Sequence, residues 1–105
     1  MDTIELGEKS CWLVGRDRAV VDLPVDHPSC SKQHAVWQFR WVSKVDEFGE
    51  RKGRVRLYIM DLESANGTRL GGVRLEGGRF VEVLEGDLVT FAESTREYIV
   101  MVDRG

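Results

Sequence analysis

The sequence predicts an all-β domain, an antiparallel β-sandwich, on three observations. Apolar residues recur with period two in several stretches, and no stretch carries a helical period. The separators are turn residues, glycine above all, with no helix between them. The chain has 105 residues, 42% hydrophobic and 31% charged, which suits one domain with a core of its own. Many short strands at regular spacing fit a sandwich, in which strands supply the core and loops at one end supply the function.

Each element follows from its local pattern. CWLVG, residues 11–15, is a short apolar strand that ends on Gly15, and Arg16 and Arg18 stand just past it. PSCSKQH, Pro28 to His34, is small, polar and basic, and runs straight into AVWQFRW. There Ala35, Trp37, Phe39 and Trp41 share one face and Gln38 and Arg40 lie opposite, which assigns Trp37 and Trp41 to the core ahead of any stacking role. Ser43 to Gly53, SKVDEFGERKG, is charged and glycine-punctuated, and is expected to be a mobile loop between two long strands. In RVRLYIMD, Val55, Leu57 and Ile59 share a face with Arg54 and Arg56 opposite. Gly71-Gly72 between Leu70 and Val73 reads as a tight hairpin, and Gly77-Gly78 and Glu85-Gly86-Asp87 as further turns. DLVTF is another short strand. EYIVMV, Glu97 to Val102, is an almost unbroken run of β-formers, expected to be covered on both faces.

Composition narrows the function. The net charge is −3, so no global basic field attracts nucleic acid, no direct nucleic-acid binding is expected, and any anion site must be local. Cys11 and Cys30 make no CxxC pair and read as two small, buried, reduced side chains. No apolar run approaches the ~18–20 residues of a membrane span, and the N-terminus lacks the features of a signal peptide. Cytoplasm or nucleus is the expected compartment, with no membrane partner. No repeat and no low-complexity block interrupts the chain.

Three chemistries compete for the polar clusters. Ser31, His34 and Asp61 supply the residue types of a nucleophile, a base and an orienter, but no nucleophile elbow or oxyanion hole accompanies them. Ser and His three apart at a strand mouth more often hydrogen-bond each other or nearby backbone. A metal site from His27, His34 and Cys30 lacks further carboxylate or thiol partners at ligand spacing. Anion binding is better supported. VGRDR, SCSKQH and DLESANGT each sit at a strand end, and together they offer an Arg fork, hydroxyls, an ammonium and backbone N–H groups. Each charge-assisted bond to a phosphate is worth ~1.5–3 kcal/mol where water is excluded. For any one of these residues the bland alternative is a solvated charge. Asn66-Gly67 has its own bland alternative, a hairpin turn, with Asp61 and Ser64 bonding the local backbone.

Gly15-Arg16, Ser31-x-x-His34, Asp61-Leu62-x-Ser64-x-Asn66-Gly67-Thr68 and Gly86-Asp87 before Phe91 together resemble the forkhead-associated (FHA) domain, in that family's order and approximate spacing. DHPSCSKQHAVWQFR, YIMDLESANGT and STREYIVM further resemble the subfamily of the Smad nuclear-interacting, Dawdle and pre-mRNA leakage proteins. The resemblance implies a single FHA domain over residues 1–105, with its core at about 12–102, that is part of a longer protein. It implies an eleven-stranded antiparallel sandwich, monomeric and without a cofactor, that binds phosphothreonine peptides through loops at one end and is not an enzyme. The subfamily implies a nuclear subunit of the RES (retention and splicing) complex of the spliceosome, with the other subunits as partners. A phosphate-independent assembly domain is the alternative. By motif position, Arg16, Ser31, Lys32, Ser64 and Asn66 would meet the phosphopeptide, while Gly15, His34, Asp61, Gly67 and Thr68 would brace the loops. The chain departs from the pattern at Ala65, where a hydroxyl is common, at Gly71, where Asn is common, and at Ala92, where Gly is frequent after Phe91.

Overall fold

A computed structural model describes residues 4–101. The period-two stretches become strands. β1 (Cys11–Gly15), β2 (Leu23–Pro24), β3 (Ala35–Val45), β4 (Arg51–Asp61) and β7 (Val81–Glu82) form one sheet in the order β2-β1-β3-β4-β7. β5 (Thr68–Leu70), β6 (Val73–Arg74), β8 (Leu88–Phe91) and β9 (Glu97–Ile99) form the other, in the order β6-β5-β8-β9. Nine strands are present among the described residues where eleven were expected. The antiparallel expectation fails at one pair, since β2 runs parallel to β1.

Alternation decides which residues meet between the sheets. Val14, Ala35, Trp37 and Ile59 from the first sheet and Val89 and Phe91 from the second are all buried, each 4% exposed or less. Phe91 lies edge-on to both Tyr98 and His34, with ring centroids 5.4 and 5.7 Å apart. A 3-10 turn at Leu6–Glu8 is tied down by the Trp12 indole, which donates to the Leu6 carbonyl at 2.7 Å. Leu70 pairs with Val73 across Gly71-Gly72, whose φ values of 57° and 83° make the tight turn that only glycine enters without strain.

Four expectations are corrected. Ser43 to Gly53 is not a loop: residues 43–45 belong to β3 and 51–53 to β4, in register from Ser43 opposite Gly53 to Val45 opposite Arg51. Only 46–50 turns, held by the Asp46 carboxylate, which accepts from the N–H groups of Phe48 and Glu50. Trp41 is 67% exposed and Val55 58%, because the hairpin runs past the end of the sandwich and leaves its outer half without a facing sheet. The run after Glu97 is an edge strand, with Ile99 and Met101 exposed; Val102 lies outside the described residues. Cys30 is buried but Cys11 is exposed. No helix among the described residues is long and apolar enough to cross a membrane.

Candidate functional site

The three loops converge. β1 delivers Gly15 and Arg16 beside the loop that precedes β3. The Arg16 N–H donates to the Ser31 carbonyl at 3.0 Å and the Asp17 N–H to the Lys32 carbonyl at 3.2 Å. Gly15 is required by this approach: a Cβ there would lie 2.0 Å from the Lys32 carbonyl oxygen. The loop between β4 and β5 crosses from one sheet to the other and meets the same place. The Ala65 N–H donates to Ser31 Oγ at 3.1 Å, and Asn66 Nδ2 donates to the Ser29 carbonyl at 2.7 Å. Asn66-Gly67 therefore makes no two-residue hairpin; Gly67, at φ 84°, turns the chain into β5.

Beneath this rim lies a buried polar network. Asp61, 3% exposed, accepts from the Ser64 hydroxyl at 2.6 Å, the Thr68 hydroxyl at 2.7 Å and the Ser64 N–H at 3.0 Å. Ser64 Oγ in turn accepts from the Gly67 N–H at 3.0 Å. Ser64 is 8% exposed with its hydroxyl engaged as both donor and acceptor, so the structure groups it with the bracing residues, away from the peptide-facing set the sequence put it in.

His34 is fully buried. Its Nδ1 accepts from the Ser31 N–H at 3.0 Å, so its proton sits on Nε2, which donates to the Gly67 carbonyl at 2.9 Å. Both ring nitrogens are occupied by backbone. Nε2 is 3.9 Å from Asp61 Oδ1, beyond a hydrogen bond, and that oxygen already serves two hydroxyls. Ser31, His34 and Asp61 are thus neighbours without the nucleophile–base–orienter geometry.

The remaining candidates face outward. Arg16 Nε donates to the Cys30 carbonyl at 3.0 Å, which fixes the guanidinium and leaves its two terminal nitrogens without a partner among the described residues. Lys32 is exposed, and its ammonium has no partner among them either. Ser31 Oγ accepts one N–H and keeps its own hydrogen to donate. Asn66 keeps one N–H and its carbonyl oxygen. Arg18 is removed from the set by a two-point pair with Asp26, whose carboxyl is held below its usual range chiefly by that hydrogen bond.

Two contributors went unassigned in the sequence. Ser29 joins three loops: its hydroxyl bonds His27 Nδ1 at 2.7 Å and accepts from the Glu93 N–H at 2.9 Å, while its carbonyl receives Asn66. Arg74 covers Gly67, where a Cβ would fall 2.6 Å from Arg74 Nε, and brings a further cation next to Asn66. No motif marks either residue; a lone serine in a polar loop and an arginine in a short strand have no signature. Ala92 takes φ 52°, the left-handed region, which accounts for a position where glycine is frequent, and its N–H donates to Gly67 at 2.8 Å.

The chain is 47% identical over 93 residues to the mouse Smad nuclear-interacting protein 1, an alignment that spans 89% of this chain and 24% of that protein. It is 37% identical over 103 residues to pre-mRNA leakage protein 1 of Saccharomyces cerevisiae, spanning 85% of this chain and 46% of that protein. The chain thus spans less than half the length of these relatives. A structure of the yeast Pml1 splicing factor, described with its integration into the RES complex, superposes with a TM-score of 0.72 at 36% identity, covering 92% of this chain and 65% of that one. The FHA domain pattern matches residues 12–92. With the sandwich, the loop convergence and these relatives in agreement, the chain belongs to the FHA domain family, a family of phosphopeptide-binding modules.

Proposed function

We propose that this chain is a phosphothreonine-peptide-binding module of a nuclear pre-mRNA splicing and retention complex subunit, and that it binds without catalysing. One observation carries the reading: at a single rim, the neighbours of Arg16, Ser31, Lys32 and Asn66 bond inward while these four keep donors facing out. The two terminal nitrogens of Arg16 take a phosphate as a fork, the Ser31 hydroxyl donates to a phosphate oxygen, and Lys32 adds charge. The Asn66 amide holds the peptide main chain beside the phosphothreonine. Gly15, His34, Asp61, Ser64, Gly67 and Thr68 keep these groups in place. A pocket fitted to the threonine methyl prefers it over phosphoserine by about 0.8 kcal/mol. The splicing role, the nuclear setting and the other RES subunits as partners rest on the named relatives.

The test is calorimetric titration of a phosphothreonine peptide library against wild type and Arg16→Ala. Wild type binds and the variant loses tenfold or more, the value of one or two charge-assisted bonds; absence of binding by either protein sinks the proposal. A phosphate-independent assembly domain is the second reading, favoured by Ala65, which has no hydroxyl and whose N–H is taken up by Ser31 Oγ. Partner capture that survives phosphatase treatment would select it.

A further inference from the structure

The net charge is −3, yet the strand register gathers cations on one surface. Residues paired across β3 and β4 share a face. On the face opposite Trp37 and Ile59, Arg40 stands across from Arg56, Val42 from Arg54 and Lys44 from Lys52. Two of these three rungs set like charges directly opposite each other, and in each rung one cation has a carboxylate of the chain within reach. Arg40 lies over the rings of Tyr58 and Phe80, and Arg56 pairs with Glu82 at 2.6 Å. Lys52 is 3.8 Å from Asp46 and 73% exposed. Lys44 and Arg54 have no partner among the described residues. Val42, Lys44, Lys52, Gly53, Arg54 and Arg56 line a shallow depression on this face.

The other face of the same hairpin carries Trp41, which lies across Gly53 so closely that a Cβ there would fall 2.4 Å from the ring. Glycine is what admits the indole, and the ring remains 67% exposed. Phe48, at the tip, is 81% exposed. The ribbon is two strands wide, with about 5 Å between strands, so both faces are within reach of one flexible chain. Cations two residues apart stand ~6.8 Å from each other along a strand. Evenly spaced cations on one face of a narrow ribbon and an exposed indole on the other match a flexible polymer with evenly spaced charges and flat rings that wraps the hairpin. An acidic peptide would neutralise the cations and leave Trp41 unused. We infer that the outer half of the β3–β4 hairpin binds single-stranded nucleic acid, with Lys44, Lys52 and Arg54 on phosphates and Trp41 stacked on a base. This surface is at the far end of β3 and β4 from Ser31 and Asn66, and the inference does not rest on phosphopeptide binding.

The experiment is fluorescence anisotropy of a labelled twelve-nucleotide uridine oligomer against the whole chain, from 50 mM salt upward. Wild type binds saturably, and log affinity falls with log salt by about 0.7 per phosphate neutralised, near 2 for three cations. The double variant K44E/R54E loses at least tenfold in affinity and flattens that slope. Both substitutions set carboxylates among cations, so the fold is retained, checked by thermal unfolding. Trp41→Ala loses about fivefold or more. No saturable binding at 50 mM salt, or full affinity in K44E/R54E, overturns the inference. Full affinity in Trp41→Ala overturns the base contact. Displacement of the oligomer by polyglutamate at equal charge concentration overturns the nucleic-acid assignment in favour of an acidic protein segment.

Discussion

Replacing Asp61 with Asn tests whether one carboxylate holds the candidate site together. Asp61 accepts three bonds at 2.6, 2.7 and 3.0 Å while 3% exposed. In Asp61→Asn the carbonyl oxygen still accepts the hydroxyls of Ser64 and Thr68, now without a charge. The amide nitrogen then faces the Ser64 N–H, donor against donor. One bond to a charged group is lost, at about 1.5–3 kcal/mol, and two others weaken, for a total of about 3 kcal/mol. In a domain of this size each kcal/mol moves Tm by about 4–8 °C, so Tm falls by roughly 12–24 °C. Thr68→Val removes a single donor and costs about 1–2 kcal/mol. Because both substitutions strike the same oxygen, the double variant loses less than the sum. Thermal and urea unfolding of the four proteins, followed by circular dichroism, measures each quantity. An Asp61→Asn protein that melts within about 2 °C of wild type would refute the reasoning, since the network would then carry no stability.

Gly15→Ala and Gly72→Ala separate two reasons for glycine: the first sets a Cβ 2.0 Å from backbone, while the second meets nothing within 4 Å but sits at φ 83°. Gly72→Ala costs about 1 kcal/mol by strain alone, and Gly15→Ala costs more and also weakens phosphopeptide binding, read by unfolding and titration together. In native protein Cys11 reacts with a thiol reagent while Cys30, 2% exposed and with burial pushing its thiol pKa up, does not; two equivalents reacting before denaturation would contradict this. Asp22, held low chiefly by the Lys9 ammonium and also by the Leu13 N–H, and Asp26, held low chiefly by Arg18, bind their protons less readily folded than unfolded. Their stabilisation is present above the unfolded carboxylate value of about 3.9 and is lost as pH falls through the lower folded values. Urea midpoints from pH 6 to 2.5 decline accordingly, and Asp22→Asn flattens the decline.

Period-two patterning located most of the strands because alternation follows from burying one face. It could not say where burial ends. Trp37 and Trp41 obey the same alternation, yet one is 4% exposed and the other 67%, because the second sheet stops before the hairpin does. Charge and glycine made Ser43 to Gly53 resemble a loop, although cross-strand pairing with its own partner tolerates both. At the candidate site, Arg16, Ser31, Lys32 and Asn66 could be put forward together from the sequence because motif spacing at strand ends is local, and the fold brings their loops to one rim. Ser29 and Arg74 were not, because their contacts join segments distant in sequence. Ser64 was found but read as facing outward; the direction of a hydroxyl depends on the Asp61 carboxylate behind it.

The Gly67 carbonyl receives two donors, the His34 imidazole from just before the start of β3 in one sheet and the Ala92 N–H from just past the end of β8 in the other. Asn66 to Ser29 and Glu93 to Ser29 cross the same line. The rim is therefore a seam between the two layers. A ligand that bridges Arg16 on one layer to Asn66 on the way into the other acts as a rivet. Its binding energy resists separation of the sheets, so occupancy slows global unfolding as well as quieting the loops. Conversely, a substitution deep between the sheets that lets them slide will be felt first as lost affinity, while the strands themselves are still intact.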